Sequence, residues 1–401
     1  MINIFTSADF LIPLRDKLPQ WSVIACDQFT SQPEYWNKVR ELAGDSPSVY
    51  NLILPEAMLG HSTPEMIAQI NSCMLDYLSQ NFLRKFNDSY IYVERTLLDG
   101  SVRRGIVGVI DLEEYDYRPG STSRIRATEQ TIIERIPARK AIRENAALEL
   151  SHVILLCDDE RKNLIEPLTI SRHSMRKIYD FELMQGGGNI KGWLVREENA
   201  RAFNTRMAAY IKRKSQELSL LFAVGDGNHS LAAAKACYEA DKSNPLARYA
   251  MVELENLHDD ALKFEPIHRI VKGVLPEDLI DAMNNAICTQ DKNNSWPIKI
   301  YHDDKEEIIY IDKSLGASAL IVLQKYLDEK NFTIDYIHGL DVLKELSHEF
   351  GCVGFEMPPF DSKAKLEFFR VISESGVLPR KTFSMGHAQE KRYYLEARRI
   401  K

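Results

Sequence analysis

Asp226 and His229 bracket Gly227-Asn228 at the point where an apolar run, Leu218 to Val224, gives way to the Ala-rich stretch that begins at Leu231. A carboxylate can accept a proton and an imidazole can carry one, so this spacing offers acid–base chemistry beside an anion site. The pattern reads as a strand, a tight turn and a helix start. Gly225 and Gly227 supply the backbone freedom of the turn, and the first N–H groups of a helix attract anions. Asn228 or Ser230 is expected to cap the helix. An ordinary strand-to-helix turn, with Asp226 and His229 as local hydrogen-bonders, is the alternative reading.

Other residues could serve the same chemistry. Asp27 ends a short strand expected at Trp21 to Ala25. Arg124, Arg126, Arg135, Arg139, Lys140 and Arg143 crowd one region of an acidic chain. Guanidinium groups bind phosphate and carboxylate bidentately, which marks Arg126 as a binding candidate, although Glu129, Glu134 and Glu144 could pair with the run along a solvated helix face. Asp158-Asp159-Glu160 closes another strand; paired acids there could hold a metal, but the stretch reads rather as a solvated turn, and no metal site is expected. His268 and Arg269 stand among apolar residues just after Pro266. They fit either an oxyanion contact or satisfied core positions.

The elements that must position these residues alternate between helix and strand patterns. Helices are expected at Pro64 to Leu83, from the stripe Met66, Ile67, Ile70, Cys73, Met74 and Tyr77, and at Glu197 to Lys214. Tyr90 to Thr96 and Arg103 to Asp111 around Asp99-Gly100 read as a hairpin, and Ile178 to Met184 with Gly192 to Val195 as another. From Pro276 onward the alternation suggests a second α/β unit, with Lys381 in a loop before one last strand. The expected division is 1–272 and 273–401.

With 44% hydrophobic and 27% charged residues in 401, the chain is globular rather than disordered or fibrous. Its net charge of -7 argues against broad nucleic-acid or anionic-membrane binding. Six scattered cysteines without a C-x-x-C pair indicate a reducing compartment, and no apolar run approaches membrane-spanning length, so a cytoplasmic protein is expected.

In order along the chain, Asp226-Gly227-Asn228-His229, Ile267-His268-Arg269, Asp335-Tyr336-Ile337-His338-Gly339 and Leu378-Pro379-Arg380-Lys381-Thr382 resemble the family known as domain of unknown function 1015. Arg126-Ala127-Thr128-Glu129-Gln130-Thr131 resembles its Arg-x-x-Glu-x-Thr segment, and Cys26-Asp27 its strand-end aspartate. The Asp-Gly-x-His core is more distantly similar to the phosphate-binding motif of the ParB/sulfiredoxin group, which includes free-serine kinases. That resemblance implies an α+β fold, mixed sheets with flanking helices, in which a ParB/sulfiredoxin-like core surrounds the motif and a C-terminal α/β unit follows.

The same resemblance implies phosphoryl transfer or phosphate-ester chemistry, as a kinase or phosphatase, on a small hydroxylated metabolite, with serine or phosphoserine the first candidate. Asp226, His229, Glu129 and His268 are then the candidate catalytic residues. Gly227, Asn228, Ser230, Arg126, Thr131, Arg269, Asp27 and Lys381 are the candidates for binding phosphate or substrate. Ser230 departs from the group, which commonly has arginine there; Arg126 or Arg269 could supply the missing charge. Mg²⁺ with ATP or ADP are the expected cofactors, and a small phosphorylated ligand the expected partner. A homo-oligomer is left open. The alternative is a sensor that binds a nucleotide or phosphorylated metabolite without turnover.

Overall fold

In Tyr90-Ile91-Tyr92-Val93, alternate residues of one strand face opposite sides of a sheet, and both sides are buried. Tyr90 and Tyr92 join a cluster with Phe203, Met207 and Tyr210 of the long helix Glu197–Glu217. Ile91 and Val93 join another cluster, with Trp21, Met74 and Tyr393. Burial on both faces explains why this stretch and residues 105–110 of its partner strand Val102–Asp111 carry no charge.

This computed structural model describes residues 4–24, 29, 33–55, 58, 61–131, 133, 136–360, 362–379 and 381–401. It is an α+β protein of two units, Met1–Leu262 with Gly386–Lys401, and Lys263–Met385. The first holds a mixed sheet in which Ile125–Ala127, Phe222–Asp226, Ile154–Cys157, Tyr249–Asn256, Val102–Asp111 and Leu83–Thr96 are successive neighbours. The second holds the order Lys305–Asp312, Ser295–His302, Cys352–Glu356, Phe264–Lys272, Thr333–His338. Among the described residues no helix is long and apolar enough to cross a membrane.

The structure divides the chain ahead of Phe264–Lys272, whereas the boundary expected after residue 272 falls at that strand's end. Every pairing of the strand lies in the second unit, with Thr333–His338, Cys352–Glu356 and Phe383–Met385. The closing segment from Gly386 belongs to the first unit. Ala397–Arg399 lies between Ala8–Pro13 and Leu148–Leu150, and the Trp21 indole donates to the Leu395 carbonyl at 2.7 Å.

Both hairpins form, with shifted bounds: Thr96 pairs with Val102, and Arg176–Glu182, which ends before Met184, pairs with Asn189–Val195. Two other elements differ. The helix begun at Pro64 stops at Ser79, because Leu83 is already paired with Pro13 in the sheet. Trp21 closes the short helix Leu18–Trp21 instead of opening a strand, and Val23 makes only an isolated bridge to Tyr394.

Candidate functional site

The strand Phe222–Asp226 and the helix Asn228–Ala240 meet at Gly227. Gly227 adopts φ 85°, and a Cβ there would lie 2.9 Å from Val153 Cγ2 and 3.1 Å from Val153 Cα. Only glycine fits this turn without strain. Gly227 is itself the N-cap, so neither Asn228 nor Ser230 caps the helix with its side chain. The intrahelical ladder opens with the Leu231 N–H on the Gly227 carbonyl at 3.0 Å. The amides of Asn228, His229 and Ser230 lie ahead of that ladder, at the positive end of the helix dipole.

Asp226 is fixed at this point. One carboxylate oxygen accepts the Gly227 N–H at 2.7 Å, and the other faces Lys391 Nζ at 3.4 Å. Lys391 arrives from the closing segment, which its neighbour Arg392 anchors. The Arg392 guanidinium is buried between Glu253, at 2.7 Å, and Glu396, at 2.6 Å, and also donates to the Ser151 carbonyl. His152 follows Ser151, stands edge-on to Tyr394 with ring centroids 4.9 Å apart, and lies within electrostatic reach of Asp226 and Lys391. Burial pulls its imidazole down to about 4, against the opposing influence of Asp226, so the ring is neutral near pH 7. His152 Nδ1 and Asn228 Oδ1 are both buried without a hydrogen-bond partner among the described residues. Unsatisfied polar atoms of this kind call for a partner that the described residues do not provide.

The parallel pairing of Ile125–Ala127 with Phe222–Asp226 sends both chains out at one edge of the sheet. The segment that carries Glu129 and Thr131 therefore emerges on the same edge as Asp226, tied there by the Thr128 hydroxyl, which donates to the Val224 carbonyl at 2.6 Å. The buried Thr131 hydroxyl has no hydrogen-bond partner among the described residues. Ligand sites in open α/β sheets form at such carboxyl ends of strands.

Arg126 is placed differently. It pairs beside Ala223, and its guanidinium turns back to the Ser123 carbonyl at 2.8 Å and the Ser219 hydroxyl at 2.5 Å. Ser219 precedes the strand that Asp226 ends, so the Arg126 charge is held toward the opposite end from the motif helix. Burial also disfavours its charged form. The expectation that Arg126 replaces the missing arginine does not match this geometry, and among the described residues Lys391 is a cation in contact with Asp226.

His268, Arg269 and Lys381 belong to the second unit. His268 Nδ1 accepts the Met357 N–H at 3.0 Å, and burial lowers its basicity. Arg269 is fully buried; it donates to Gln324 Oε1 at 3.2 Å and to the Ile267 carbonyl, and lies over the Tyr336 ring at 5.2 Å. These contacts make it an internal brace of its strand, unlike the phosphate ligand expected of it. Lys381 has φ 57° in the turn ahead of Phe383–Met385. Asp27 lies outside the described residues.

Asp158 and Asp159 correct another expectation, because they form no solvated turn. Asp158 is held by Lys214 at 2.6 Å and His258 at 2.7 Å, and Asp159 by Arg213 at 2.9 Å and the N–H groups of Asn163 and Leu164. Asp158, Glu160 and His258 could together face a cation, but Lys214 already brings one to Asp158.

Sequence reasoning did not single out Lys391, Arg392 or His152. A lysine-arginine pair near a terminus and a histidine at a strand start carry no local signal, since only the return of the chain makes them neighbours.

No curated protein matches the chain. Among solved structures, a C-terminally truncated SbnI from Staphylococcus aureus aligns at 12% identity over 72% of this chain and 82% of its own, with a TM-score of 0.37. A free serine kinase mutant in complex with AMP aligns at 11% identity over 70% and 92%, with a TM-score of 0.38. A conserved hypothetical protein from Pyrococcus furiosus aligns at 10% identity over 71% and 95%, with a TM-score of 0.32. The family model described as protein of unknown function, DUF1015, matches residues 11–398, and the chain belongs to that family.

Proposed function

We propose that the first unit binds a phosphate group at the start of the motif helix and transfers or releases it, acting on a small hydroxylated metabolite, with serine or phosphoserine the first candidate. The observation that carries this reading is the grouping of Asp226, Lys391 and the helix start beside His152 and Asn228, whose buried Nδ1 and Oδ1 lack partners among the described residues. Amides at a helix N-terminus are a ready site for phosphate oxygens, and an ammonium adds charge as phosphoryl negative charge develops.

In the transfer direction, Asp226 takes the proton of the substrate hydroxyl. The freed oxygen attacks the terminal phosphorus of the nucleotide as the bond to the bridging oxygen breaks, and ADP or AMP leaves with that electron pair. His229 and Lys391 face the charge that builds on the transferred group. Glu129, on the same sheet edge, is the second acid available. Mg²⁺ in nucleotide sites is commonly held by one or two carboxylates and the phosphates themselves, and Asp226 and Glu129 are residues of that kind. When bound, the ion would shield phosphate charge.

A sensor without turnover is the second reading. It is favoured by the fact that both oxygens of Asp226 already have partners, Gly227 and Lys391, which compete with a substrate hydroxyl.

The test is incubation with ATP or ADP plus serine, and separately with phosphoserine. Phosphoserine formation or phosphate release that falls about 100-fold or more in Asp226→Ala supports the enzyme. Thermal stabilisation by nucleotide with no turnover supports the sensor, and neither effect would reject both readings.

A further inference from the structure

Arg95 and Arg103 face each other across the hairpin, directly opposite in the register of Leu83–Thr96 with Val102–Asp111, and both are buried. Like charges so placed repel, and burial raises the cost, so the pair needs a reason. The closing segment supplies it. The Arg95 guanidinium donates to the carbonyls of Gly187 at 2.9 Å, Lys391 at 2.5 Å and Glu390 at 3.3 Å, and to that of Gln389. It also lies 4.9 Å from the centre of the Tyr393 ring. Arg103 donates to the Glu390 carbonyl at 2.7 Å and faces the fully buried Glu255 at 3.0 Å, which offsets part of the positive charge.

Gln389 and Glu390 close the single 3₁₀ turn Ala388–Glu390, and Lys391 follows it in extended backbone. Carbonyls at the end of such a turn point beyond it without helical partners. The two arginines collect them. With three successive carbonyls held, and Arg392 sealed between Glu253 and Glu396 one residue on, the direction in which the Lys391 side chain leaves the backbone is set from both sides. That direction brings its Nζ to Asp226.

We infer that Arg95 is a positioning residue for Lys391, with Arg103 as its support: by fixing residues 389–391 it holds an ammonium at the start of the motif helix. Its contacts are with carbonyls and a ring, so it acts through Lys391 and not on a ligand. The consequence for a phosphate group rests on the reading above; the placement of Lys391 does not. A planar fork explains the residue type. A guanidinium offers five N–H donors in fixed directions, enough for four carbonyls, whereas an ammonium has three on a flexible stem. Arg95→Lys therefore keeps the charge and loses the hold.

The test is brief acetylation of the full chain with acetic anhydride, read lysine by lysine by mass spectrometry, together with ADP titration. Lys235 is the internal reference, because its buried Nζ donates to the Leu112 carbonyl at 2.8 Å and reacts only when the protein opens. In Arg95→Lys the rate at Lys391 should rise about tenfold or more relative to Lys235, as hydrogen bonds from a charged donor are lost, and in Arg103→Lys about threefold. A merely structural role would raise both lysines together. ADP affinity of Arg95→Lys should fall to that of Lys391→Met, and the double variant should lose no more. Thermal unfolding confirms that each variant is folded, and Arg103→Lys, which disturbs one carbonyl, carries the test if Arg95→Lys does not fold. An unchanged ratio of Lys391 to Lys235 in a folded variant, or additive losses of ADP affinity in the double variant, overturns the assignment. If ADP does not bind the unsubstituted chain, the phosphate reading falls, while the labelling ratio still decides the placement of Lys391.

Discussion

Asp226 and Asp158 stand at the ends of adjacent antiparallel strands in one sheet, yet they are treated in opposite ways. Phe222 pairs with Cys157 and Asp226 with Ile154, so the two acids lie at opposite edges. Asp158 is 7% exposed and clamped by Lys214 and His258. Asp226 is 26% exposed, meets Lys391 at 3.4 Å, and sits near buried polar atoms that lack partners among the described residues. A saturated buried carboxylate holds elements together. One that is partly open to solvent and meets its cation at longer range, beside unsatisfied groups, is arranged for something that arrives from solution.

The comparison breaks first at Asp158. Replacing it by alanine leaves buried Lys214 with the half-exposed Glu217 and takes the acid from His258, and should cost about 3 kcal/mol in urea denaturation, with any ligand binding of the folded fraction retained. Asp226→Ala should do the reverse: about 100-fold or more is lost from phosphate transfer, while stability changes by about 1 kcal/mol or less. If Asp226→Ala proved the more destabilising of the two, the contrast between brace and site would be gone.

Gly227→Ala comes next, with an expected loss of about 1–3 kcal/mol from its left-handed backbone and the clash with Val153, read as a lowered melting temperature. Lys391→Met should be the smallest in stability, about 1 kcal/mol or less, while weakening ADP binding measurably. An unchanged ADP affinity in that variant would remove Lys391 from the site.

His152 sharpens the contrast through pH. Its ordinary value of 6.5 falls to about 4 in the folded protein, so the unfolded chain binds the extra proton between those values. The stability that comes with the neutral ring is complete above pH 6.5 and is lost as pH falls through 4. Stability measured across that window should decline more steeply in the unsubstituted chain than in His152→Gln. Identical slopes would mean that the ring is not held neutral.

The motif was legible because its elements are local. Gly225, Gly227 and the alanines after Leu231 specify a turn and a helix start within one short stretch, and the structure forms both. The hairpin at Asp99-Gly100 was legible for the same reason. Long-range placement was not. The direction in which Arg126 turns depends on the parallel register with Ala223, and Lys391 reaches Asp226 only because Arg392 is sealed between Glu253 and Glu396. Arg269 looked like an anion ligand from its polar type, but burial and the Tyr336 ring decide its role. The acids at Asp158 and Asp159 looked solvated because their partners, Lys214, Arg213 and His258, lie far along the chain.

The central claim is that phosphate sits on the start of the motif helix. A crystal structure of the full chain grown with ADP tests it most directly. Phosphate oxygens within about 3 Å of the amides of Asn228 to Ser230, with Lys391 turned toward them, are the expected result. ADP bound with its phosphates elsewhere, and Asp226 still closed on Lys391, would contradict it.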